Sequence, residues 1–339
     1  MPQLKFLSLD YLSLKFLLFP AALKCHIATM PKEPNSDNSL LMQPFDRDSL
    51  RRHRLRAAHG SGTHGFGAHD FLFREIAERM DERLDEVNRS FRRILVVGNH
   101  GGIAADMVRA RYGQAHVTRM DLDPGLLARG AGMNTTWAVA ADEEALPFAA
   151  QSFDLVISLL SLHWVNDLPG ALLQMRHVLK PDGLLLASLI GGESLSELRQ
   201  AFLEAEAAIE GGVSPRVSPF LDARTAGGLL QRAGLALPMV DLDNVRVTYE
   251  SAFNLMNDLR GMGETNSLSA RRKAFTRRTT LLAMAEAYQT RFALGTGRIP
   301  ATFDILYLTG WAPDESQPKP LKPGSARASL ADVLGKKEG

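Results

Sequence analysis

The sequence predicts an α/β protein built on a seven-stranded, mostly parallel sheet with helical insertions. Short, continuously apolar runs such as Ile94-Leu95-Val96-Val97 are typical of strands that are buried on both faces of a sheet. These runs alternate with segments of helical period, which indicates right-handed crossovers between parallel strands. The first run ends in a glycine-rich turn, Gly98-Asn99-His100-Gly101-Gly102, directly before a helical segment. Such a turn lets the backbone approach a ligand and present N–H groups to it.

Seven strands and their connecting helices follow from the apolar pattern. The strands are predicted at 94–97, 116–120, 137–140, 152–160, 184–190, 239–248 and 299–308. Helices are predicted at 103–112 and 168–179, and Lys180-Pro181-Asp182-Gly183 stops the second one before the fifth strand. Segments 193–210 and 251–291 are helical by period and follow the fifth strand, where inserts can cover a substrate. We therefore expect a ligand-binding core at residues 92–190. Residues 191–311 are expected to form the rest of the sheet together with a helical lid. The alternative is that these helical insertions have only a structural role.

The two ends of the chain lie outside this predicted core. Residues 1–44 are expected to be disordered or a mis-annotated extension, with Met30 or Met42 as the true start, although a membrane-surface helix is a second interpretation. The apolar stretch near the start is interrupted by charges, so it predicts neither a membrane span nor a signal or transit peptide. Residues 312–339 are expected to form a disordered tail.

A basic segment and an amphipathic helix occupy residues 45–91. The basic residues between Arg47 and Arg56 are most simply interpreted as a solvated helix face. Residues 60–67 are rich in glycine and predict a flexible loop. Apolar residues then recur at helical spacing through 75–86, which predicts a helix packed on the core.

The overall charge limits the classes of partner. The chain has 39 basic and 38 acidic residues and a formal net charge of +1, so nothing in its overall balance indicates binding to nucleic acid or to an anionic membrane. Small-molecule or protein substrates are favoured. Cys25 is the only cysteine, which excludes an intrachain disulfide and a cysteine-ligated metal site and favours a reducing compartment.

Asp121 is the first candidate ligand residue outside the glycine turn. It ends the second strand, and a carboxylate about 20 residues after such a turn is placed to bind the hydroxyls of a ribose. The structural alternative is a cap for the following helix. Asp123-Pro124 already supplies that start signal, so Asp121 is expected to be free for a ligand.

The order of these motifs, with Asp142 before Leu146-Pro147-Phe148, resembles the class I S-adenosylmethionine-dependent methyltransferases of the methyltransferase-11 type. The resemblance implies a Rossmann-like fold and S-adenosyl-L-methionine as cofactor. It also implies that the turn faces the methionyl moiety, Asp121 the ribose and Asp142 the adenine. The cofactor-binding residues expected from it are Gly98, His100, Gly102, Asp121, Leu122, Asp142, Glu143 and Leu159. Two positions depart from the family pattern, since Val96 stands where an acid is common and His100 replaces the middle glycine.

Segments outside the common core resemble a narrower group, the mitochondrial complex I assembly factor 5 family. They are Phe45-Asp46-Arg47 and residues 191–199, 211–220 and 257–266, and the similarity covers about residues 45–317. The resemblance, to the bacterial branch, implies hydroxylation of an arginine in a quinone-site subunit of complex I. The expected partner is therefore a peripheral-arm subunit. The expected location is the cytoplasm, peripheral to the inner membrane, or the matrix side in a eukaryote.

The sequence leaves the chemistry open. His163 and Trp164 follow the fourth strand and are expected to face the pocket, although packing is the simpler role for such a pair. The lid carboxylates Glu193, Glu197, Asp258 and Glu264 are candidates for binding a guanidinium, with ordinary surface charge as the alternative. No His-x-Asp or His-x-Glu pattern indicates an iron site, and no catalytic residue is identified. Methyl transfer to a small molecule or carrier protein, and a non-catalytic assembly chaperone, are the alternatives to hydroxylation.

Overall fold

The computed structural model describes residues 43–60, 62–128 and 136–318. All of them belong to one unit, residues 40–339. The predicted extension, apart from its last two residues, and the tail beyond Pro318 lie outside the described residues. No helix in the described part of the chain is long and apolar enough to cross a membrane.

A seven-stranded sheet forms the centre of the molecule, as the sequence predicts. Its strands are β1 (Arg93–Val97), β2 (His116–Asp121), β3 (Thr136–Ala140), β4 (Phe153–Ser158), β5 (Leu179–Gly191), β6 (Ala236–Tyr249) and β7 (Ile299–Trp311). They lie in the order β3-β2-β1-β4-β5-β7-β6. The first five pair in parallel, and β7 runs antiparallel to both β5 and β6. The carboxyl ends of β1, β2, β3 and β4 therefore meet along one edge, where the predicted cofactor residues lie.

Nine helices flank the sheet in the described ranges. They are α1 (Arg47–His59), α2 (Phe71–Asp85), α3 (Ile103–Arg111), α4 (Pro124–Ala128), α5 (Leu168–Val178), α6 (Ser196–Ile209), α7 (Ala223–Arg232), α8 (Ala252–Met262) and α9 (Arg278–Phe292). Alternate strand residues enter two separate cores, so Ile94 packs with the α2 and α6 layer and Leu95 with the α5 and α7 layer. Both faces of the sheet are thus covered, which explains its continuously apolar strands.

Two predicted boundaries were wrong. Lys180-Pro181-Asp182-Gly183 does not separate a helix from the fifth strand, because Leu179 already pairs with Phe153 and β5 continues through an irregularity. The predicted helix 251–291 is two helices: α8 ends at Met262 and is capped by Gly263, whose φ of 83° suits glycine, and an irregular segment leads to α9. Helical period alone does not report such a break.

The segments that flank the sheet in sequence are more ordered than predicted. The glycine-rich loop contains short 3-10 turns, and its Phe66 is buried in the core. The predicted tail begins with ordered residues, since the Ala312 N–H donates to Gly183 O and the Asp182 N–H donates to Ala312 O. These backbone bonds extend the sheet edge past the end of β7.

Candidate cofactor and substrate site

The glycine turn follows β1 at the centre of the sheet edge. Gly98, Gly101 and Gly102 have φ values of 78°, 72° and 98°, which side chains disfavour. A Cβ at Gly98 would also lie 2.7 Å from Ser161 Cβ and 3.0 Å from Leu159 O. The turn therefore packs directly beneath the segment that follows β4. The carbonyl oxygen of Leu159 faces the turn, and its side chain is buried in the core.

His100 takes the middle position of the turn and is almost fully buried. Its ring stacks on Phe73 with the centroids 4.4 Å apart. Burial and the nearby Arg54 lower the pKa of His100 to about 3, so the imidazole is neutral at neutral pH. Neither ring nitrogen has a hydrogen-bond partner among the described residues.

Asp121 ends β2 and is completely buried. Its Oδ2 accepts the Asn99 N–H at 2.9 Å and its Oδ1 accepts the Asp123 N–H at 2.9 Å. Asp123 caps α4 through bonds from the N–H groups of Gly125 and Leu126. Asp123 thus takes the capping role, as expected, but Asp121 is not free, because a guanidinium lies beside it.

That guanidinium belongs to Arg54 of α1, and its burial overturns the interpretation of α1 as a solvated basic face. Arg54 is 1% exposed, and its Nη1 lies 3.4 Å from Glu143 Oε1 and 3.8 Å from Asp121 Oδ1. Burial alone would lower the pKa of Arg54, but Asp121 and Glu143 raise it above its ordinary value. The residue therefore stays cationic inside the protein.

A second arginine of α1, Arg47, holds the two acids that follow β3. Its Nη2 lies 2.6 Å from both Asp142 Oδ1 and Glu143 Oε2, and its Nη1 donates to Trp164 O at 2.9 Å. Burial would raise the pKa of Glu143, but Arg54, Arg47 and the Ser161 hydroxyl bring it to about 2. We call Asp121, Asp142 and Glu143 the acidic centre. Arg47 and Arg54, two of the five arginines of α1, bind to it.

A second polar cluster lies beside this centre. Glu264 Oε2 accepts the Trp164 Nε1–H at 2.5 Å and lies 3.0 Å from His163 Nε2. Glu264 Oε1 and His163 Nδ1 are buried, and no partner for either lies in the described part of the chain. A cavity of about 50 Å³ adjoins them, with Phe220 and Ser218 in its wall. We call it the Glu264 pocket.

The other lid carboxylates lie elsewhere. The side chain of Glu193 is 78% exposed and lies 3.6 Å from Arg199. Asp258 accepts a bond of 2.7 Å from His69, while Glu197 accepts the Thr302 hydroxyl. The structure thus brings Glu264 together with His163 and Trp164, but it does not bring Glu193 or Asp258 to them. Leu122, predicted to flank the adenine, is half-buried directly after Asp121.

The segments that suggested the narrower resemblance meet around the Glu264 pocket. Phe45 pairs with Leu268, and its ring contacts that of Trp164 edge to face with the centroids 5.3 Å apart. The Asn266 side chain donates to Pro215 O at 2.8 Å. Residues 45–47, 211–220 and 257–266 therefore form one surface over the end of β4, although they are far apart in sequence.

The residues at this edge of the sheet suit the chemistry of an adenosine-containing cofactor. A buried carboxylate at the end of β2 can accept hydrogen bonds from two hydroxyls. Here the backbone N–H groups of Asn99 and Asp123 donate to it, and Arg54 Nη1 lies 3.8 Å away. The turn at the start of α3 has glycine at positions 98, 101 and 102, where the absence of a side chain suits a close ligand approach. In the described ranges, no group of three or more His, Cys, Asp or Glu side chains is arranged to hold a metal ion.

This sheet order and this site define the class of the protein, a class I S-adenosylmethionine-dependent methyltransferase fold. The family model for a methyltransferase domain matches residues 95–187. Phosphoethanolamine N-methyltransferase 2 of Haemonchus contortus is similar in fold, with a TM-score of 0.50 and 14% identity over 78% of this chain and 60% of that one. The predicted fold class and the predicted cofactor, S-adenosylmethionine, are confirmed at the level of this class. Which residues hold the cofactor stays a prediction.

The sequence comparison narrows the class to a family. Arginine-hydroxylase NDUFAF5 of Danio rerio is 41% identical, over 86% of this chain and 90% of that protein. The human protein of the same name is also 41% identical, over 86% of this chain and 83% of its own length. The chain belongs to this family of methyltransferase-fold enzymes. It is also similar to malonyl-[acyl-carrier protein] O-methyltransferase of Laribacter hongkongensis, at 34% identity over 77% of this chain and 89% of that one.

Proposed function

We propose that this enzyme hydroxylates an arginine side chain of a quinone-site subunit of respiratory complex I while the complex is assembled. The observation that carries the proposal is the 41% identity to arginine-hydroxylase NDUFAF5 over 86% of the chain. That similarity extends well beyond the matched methyltransferase domain at 95–187. It therefore includes regions outside the fold common to the class, where substrate specificity is expected to reside.

The Glu264 pocket supports an arginine substrate. Burial alone would raise the pKa of Glu264, but His163 and Arg54 lower it below its ordinary value, so its carboxylate is ionised. One carboxylate oxygen has no partner in the described residues and is close to the cavity. Guanidinium groups bind carboxylates through charge-assisted, directional hydrogen bonds. We assign Glu264 to the recognition of the substrate guanidinium, with His163 and Trp164 holding its other oxygen.

The acidic centre supports the cofactor assignment. Asp121 would accept the ribose hydroxyls, Asp142 and Glu143 would lie along the adenine, and the turn from Gly98 to Gly102 would approach the methionyl moiety. Bound S-adenosylmethionine supplies an electrophilic methyl group. Hydroxylation does not use that methyl group: it inserts one oxygen atom into the arginine, and with dioxygen as the source an electron donor must reduce the second oxygen atom to water. The test is therefore best made in living cells, where an oxidant and a reductant are both present.

The experiment is deletion of the gene, followed by mass spectrometry of the complex I quinone-site subunit. We expect depleted complex I and an arginine that lacks one added oxygen atom. Re-expression of the intact chain should restore the oxygen, Glu264→Gln should not, and Glu193→Gln should act like the intact chain because Glu193 is exposed. An arginine that carries its oxygen in the deletion strain would refute the hydroxylase assignment. Loss of complex I with no modification in either strain would support a chaperone instead.

Methyl transfer to a carrier protein is the second candidate, because malonyl-[acyl-carrier protein] O-methyltransferase of Laribacter hongkongensis is 34% identical to this chain. Purified enzyme with S-adenosylmethionine and malonylated carrier protein tests it directly. A methyl ester on the malonyl group would favour this candidate. The absence of ester, together with the arginine result above, would favour hydroxylation.

We place the protein in the cytoplasm against the inner membrane, or at its matrix face in a eukaryote. The loop between α8 and α9 supports this location, because Phe275 is 100% exposed among Lys273, Arg277 and Arg278. An exposed aromatic ring beside basic side chains suits an anionic lipid surface. Co-sedimentation with anionic vesicles should be lost in Phe275→Ser, and equal sedimentation of both proteins would contradict the placement.

A further inference from the structure

Three residues in the wall of the Glu264 pocket have a buried polar atom with no hydrogen-bond partner among the described residues. These atoms are Glu264 Oε1, His163 Nδ1 and Ser218 Oγ. The side chains of Glu264 and His163 are 5% and 2% exposed, and Ser218 is 5% exposed. The three residues come from separate parts of the chain and meet at one cavity. Because buried polar atoms are normally paired, they indicate a ligand with several hydrogen-bonding groups.

The other charged and aromatic groups of this wall already have partners. The Trp164 Nε1–H donates to Glu264 Oε2 at 2.5 Å. Arg216, a cation in the same wall, donates from Nε to Glu206 Oε1 at 2.7 Å and from Nη1 to Thr276 Oγ1 at 2.9 Å. Its charge is therefore compensated outside the cavity. A ligand in the pocket meets the negative charge of the ionised Glu264 carboxylate.

The unpartnered atoms suit a cation with several N–H groups. His163 Nε2 lies 3.0 Å from Glu264 Oε2 and donates its hydrogen to that carboxylate. A cationic ligand favours the neutral form of the ring, in which Nδ1 presents a lone pair. The Ser218 hydroxyl can also accept a hydrogen bond. A guanidinium has five N–H donors spread over one plane, whereas the donors of an ammonium all lie on one nitrogen.

The size of the cavity also suits a guanidinium. Its volume is about 50 Å³. A cavity needs roughly 10–15 Å³ to hold one water-sized group, so this one takes on the order of four non-hydrogen atoms. A guanidinium head consists of a carbon and three nitrogens. An ammonium would leave much of the cavity empty, and added methyl groups would exceed it. The rings of Trp164 and Phe220 in the wall suit the flat face of a guanidinium.

We propose that the Glu264 pocket is specific for an unmethylated guanidinium and that Ser218 and His163 determine this specificity. Glu264 Oε1 supplies the charge. Ser218 Oγ and His163 Nδ1 accept N–H groups that neither an ammonium nor a methylated guanidinium presents in full. This specificity rests on the arginine substrate of the proposed function and adds the state of that arginine. An arginine that is already methylated is excluded, so hydroxylation precedes any methylation of the same side chain.

Nuclear magnetic resonance of the Trp164 indole N–H tests the pocket in the full chain with S-adenosylmethionine present. The chain has three tryptophans, so Trp137→Phe and Trp311→Phe assign the three indole signals. N-acetylarginine amide should shift the Trp164 signal. The lysine and ω-methylarginine counterparts should bind on the order of 10-fold more weakly, as expected for the loss of a hydrogen bond to a charged group. Equal affinity for either counterpart, or no shift with the arginine compound, would overturn the proposal.

Ser218→Ala separates a role in specificity from a structural one. Its binding of the arginine compound should weaken on the order of 10-fold, while binding of the lysine compound and the melting temperature change little. Ser152→Ala is the control, because Ser152 lies at the opposite end of β4 and its hydroxyl donates to Ala149 O. The control should keep both affinities. An unchanged preference for arginine in Ser218→Ala would refute the role of Ser218.

These results are distinguishable from those of the gene deletion. Selective binding of the arginine compound, together with an arginine that keeps its oxygen in the deletion strain, would refute the hydroxylase function alone. An arginine without its oxygen in the deletion strain, together with no shift of the Trp164 signal, would refute the specificity of the pocket alone.

Discussion

Glu143 is the residue on which the acidic centre depends. It is fully buried, yet it stays ionised because Arg47, Arg54 and the Ser161 hydroxyl all bind its carboxylate. An isolated buried carboxylate would be strongly destabilising, so Glu143 and its two arginines must fold together. This linkage explains why a helix from the amino-terminal part of the chain is fixed to the end of β3.

Asp121→Asn should weaken binding of S-adenosylmethionine by roughly 10- to 100-fold. The substitution keeps the shape of the side chain but removes the charge, and a hydrogen bond to a charged group contributes about 1.5–3 kcal/mol. Isothermal titration calorimetry measures the affinity, and thermal melting checks the fold. Asp222→Asn, at the cap of the distant helix α7, is the control and should bind normally. Equal affinity of the two variants would contradict the cofactor site.

His100 should make the protein sensitive to mild acid. Burial and Arg54 lower the pKa of His100 from 6.5 to about 3, so between these values the unfolded chain takes up a proton that the folded chain does not. Stability is therefore complete above about pH 6.5 and falls as the pH decreases, by about 2 kcal/mol at pH 5 from this group.

The variant His100→Asn checks this dependence, because asparagine tolerates the positive φ of 40° at this position. Its free energy of unfolding should fall less steeply than that of the unaltered protein between about pH 7 and pH 5. His116→Asn is the control, since His116 is exposed, and it should keep the steep slope. If His100→Asn keeps that slope too, the acid sensitivity has another origin.

Helix α1 belongs to the core as an element, although its sequence is dominated by arginine. Leu50, Arg54, Ala57 and Ala58 are buried and lie on one face at helical spacing. The apolar residues of that face are few, which is why the sequence favours a solvated helix. The sequence signal that could have indicated a buried helix face is the helical spacing of Leu50, Ala57 and Ala58, with Arg54 on the same face.

Leu50→Ala should destabilise the protein by about 2–5 kcal/mol, because Leu50 is 0% exposed. Leu55→Ala on the same helix should change stability by less than about 0.5 kcal/mol, because Leu55 is 40% exposed. Urea unfolding of both variants provides the comparison. Similar midpoints for the two would show that α1 is not part of the folded core.

At the scale of the whole molecule, the surface over β4 is assembled from segments that the chain separates widely. Phe45 contacts both Trp164 and Leu268, and Arg271 binds Asp46 at 2.8 Å. These contacts join the amino-terminal segment, the core and the lid into one unit. The Glu264 pocket therefore exists only when all three have folded.

Removal of residues 1–41 should leave the melting temperature unchanged. The sequence of this segment contains no recognisable core element, whereas the carbonyl oxygens of Gln43 and Pro44 accept hydrogen bonds from Ser269. Removal of residues 1–59 is the contrasting truncation, and it should destabilise the protein because it deletes α1. Differential scanning calorimetry measures both. A clear loss of stability in the shorter truncation would refute this prediction.

The sequence by itself determined the sheet and the glycine turn, because apolar strands and the residues that end them are local patterns of fixed period. Asp121 follows from its place at a strand end, whereas Asp142 and Glu143 were indicated by the family resemblance, and the cofactor role of all three stays a prediction. It also indicated Glu264, His163 and Trp164 as candidates. Only the tertiary structure decided that Glu264 meets this pair while Glu193 and Asp258 do not, and that Arg47 and Arg54 enter the acidic centre. Their burial is a property of the assembled site, since a charged side chain is stable inside only where carboxylates from other elements of the fold surround it.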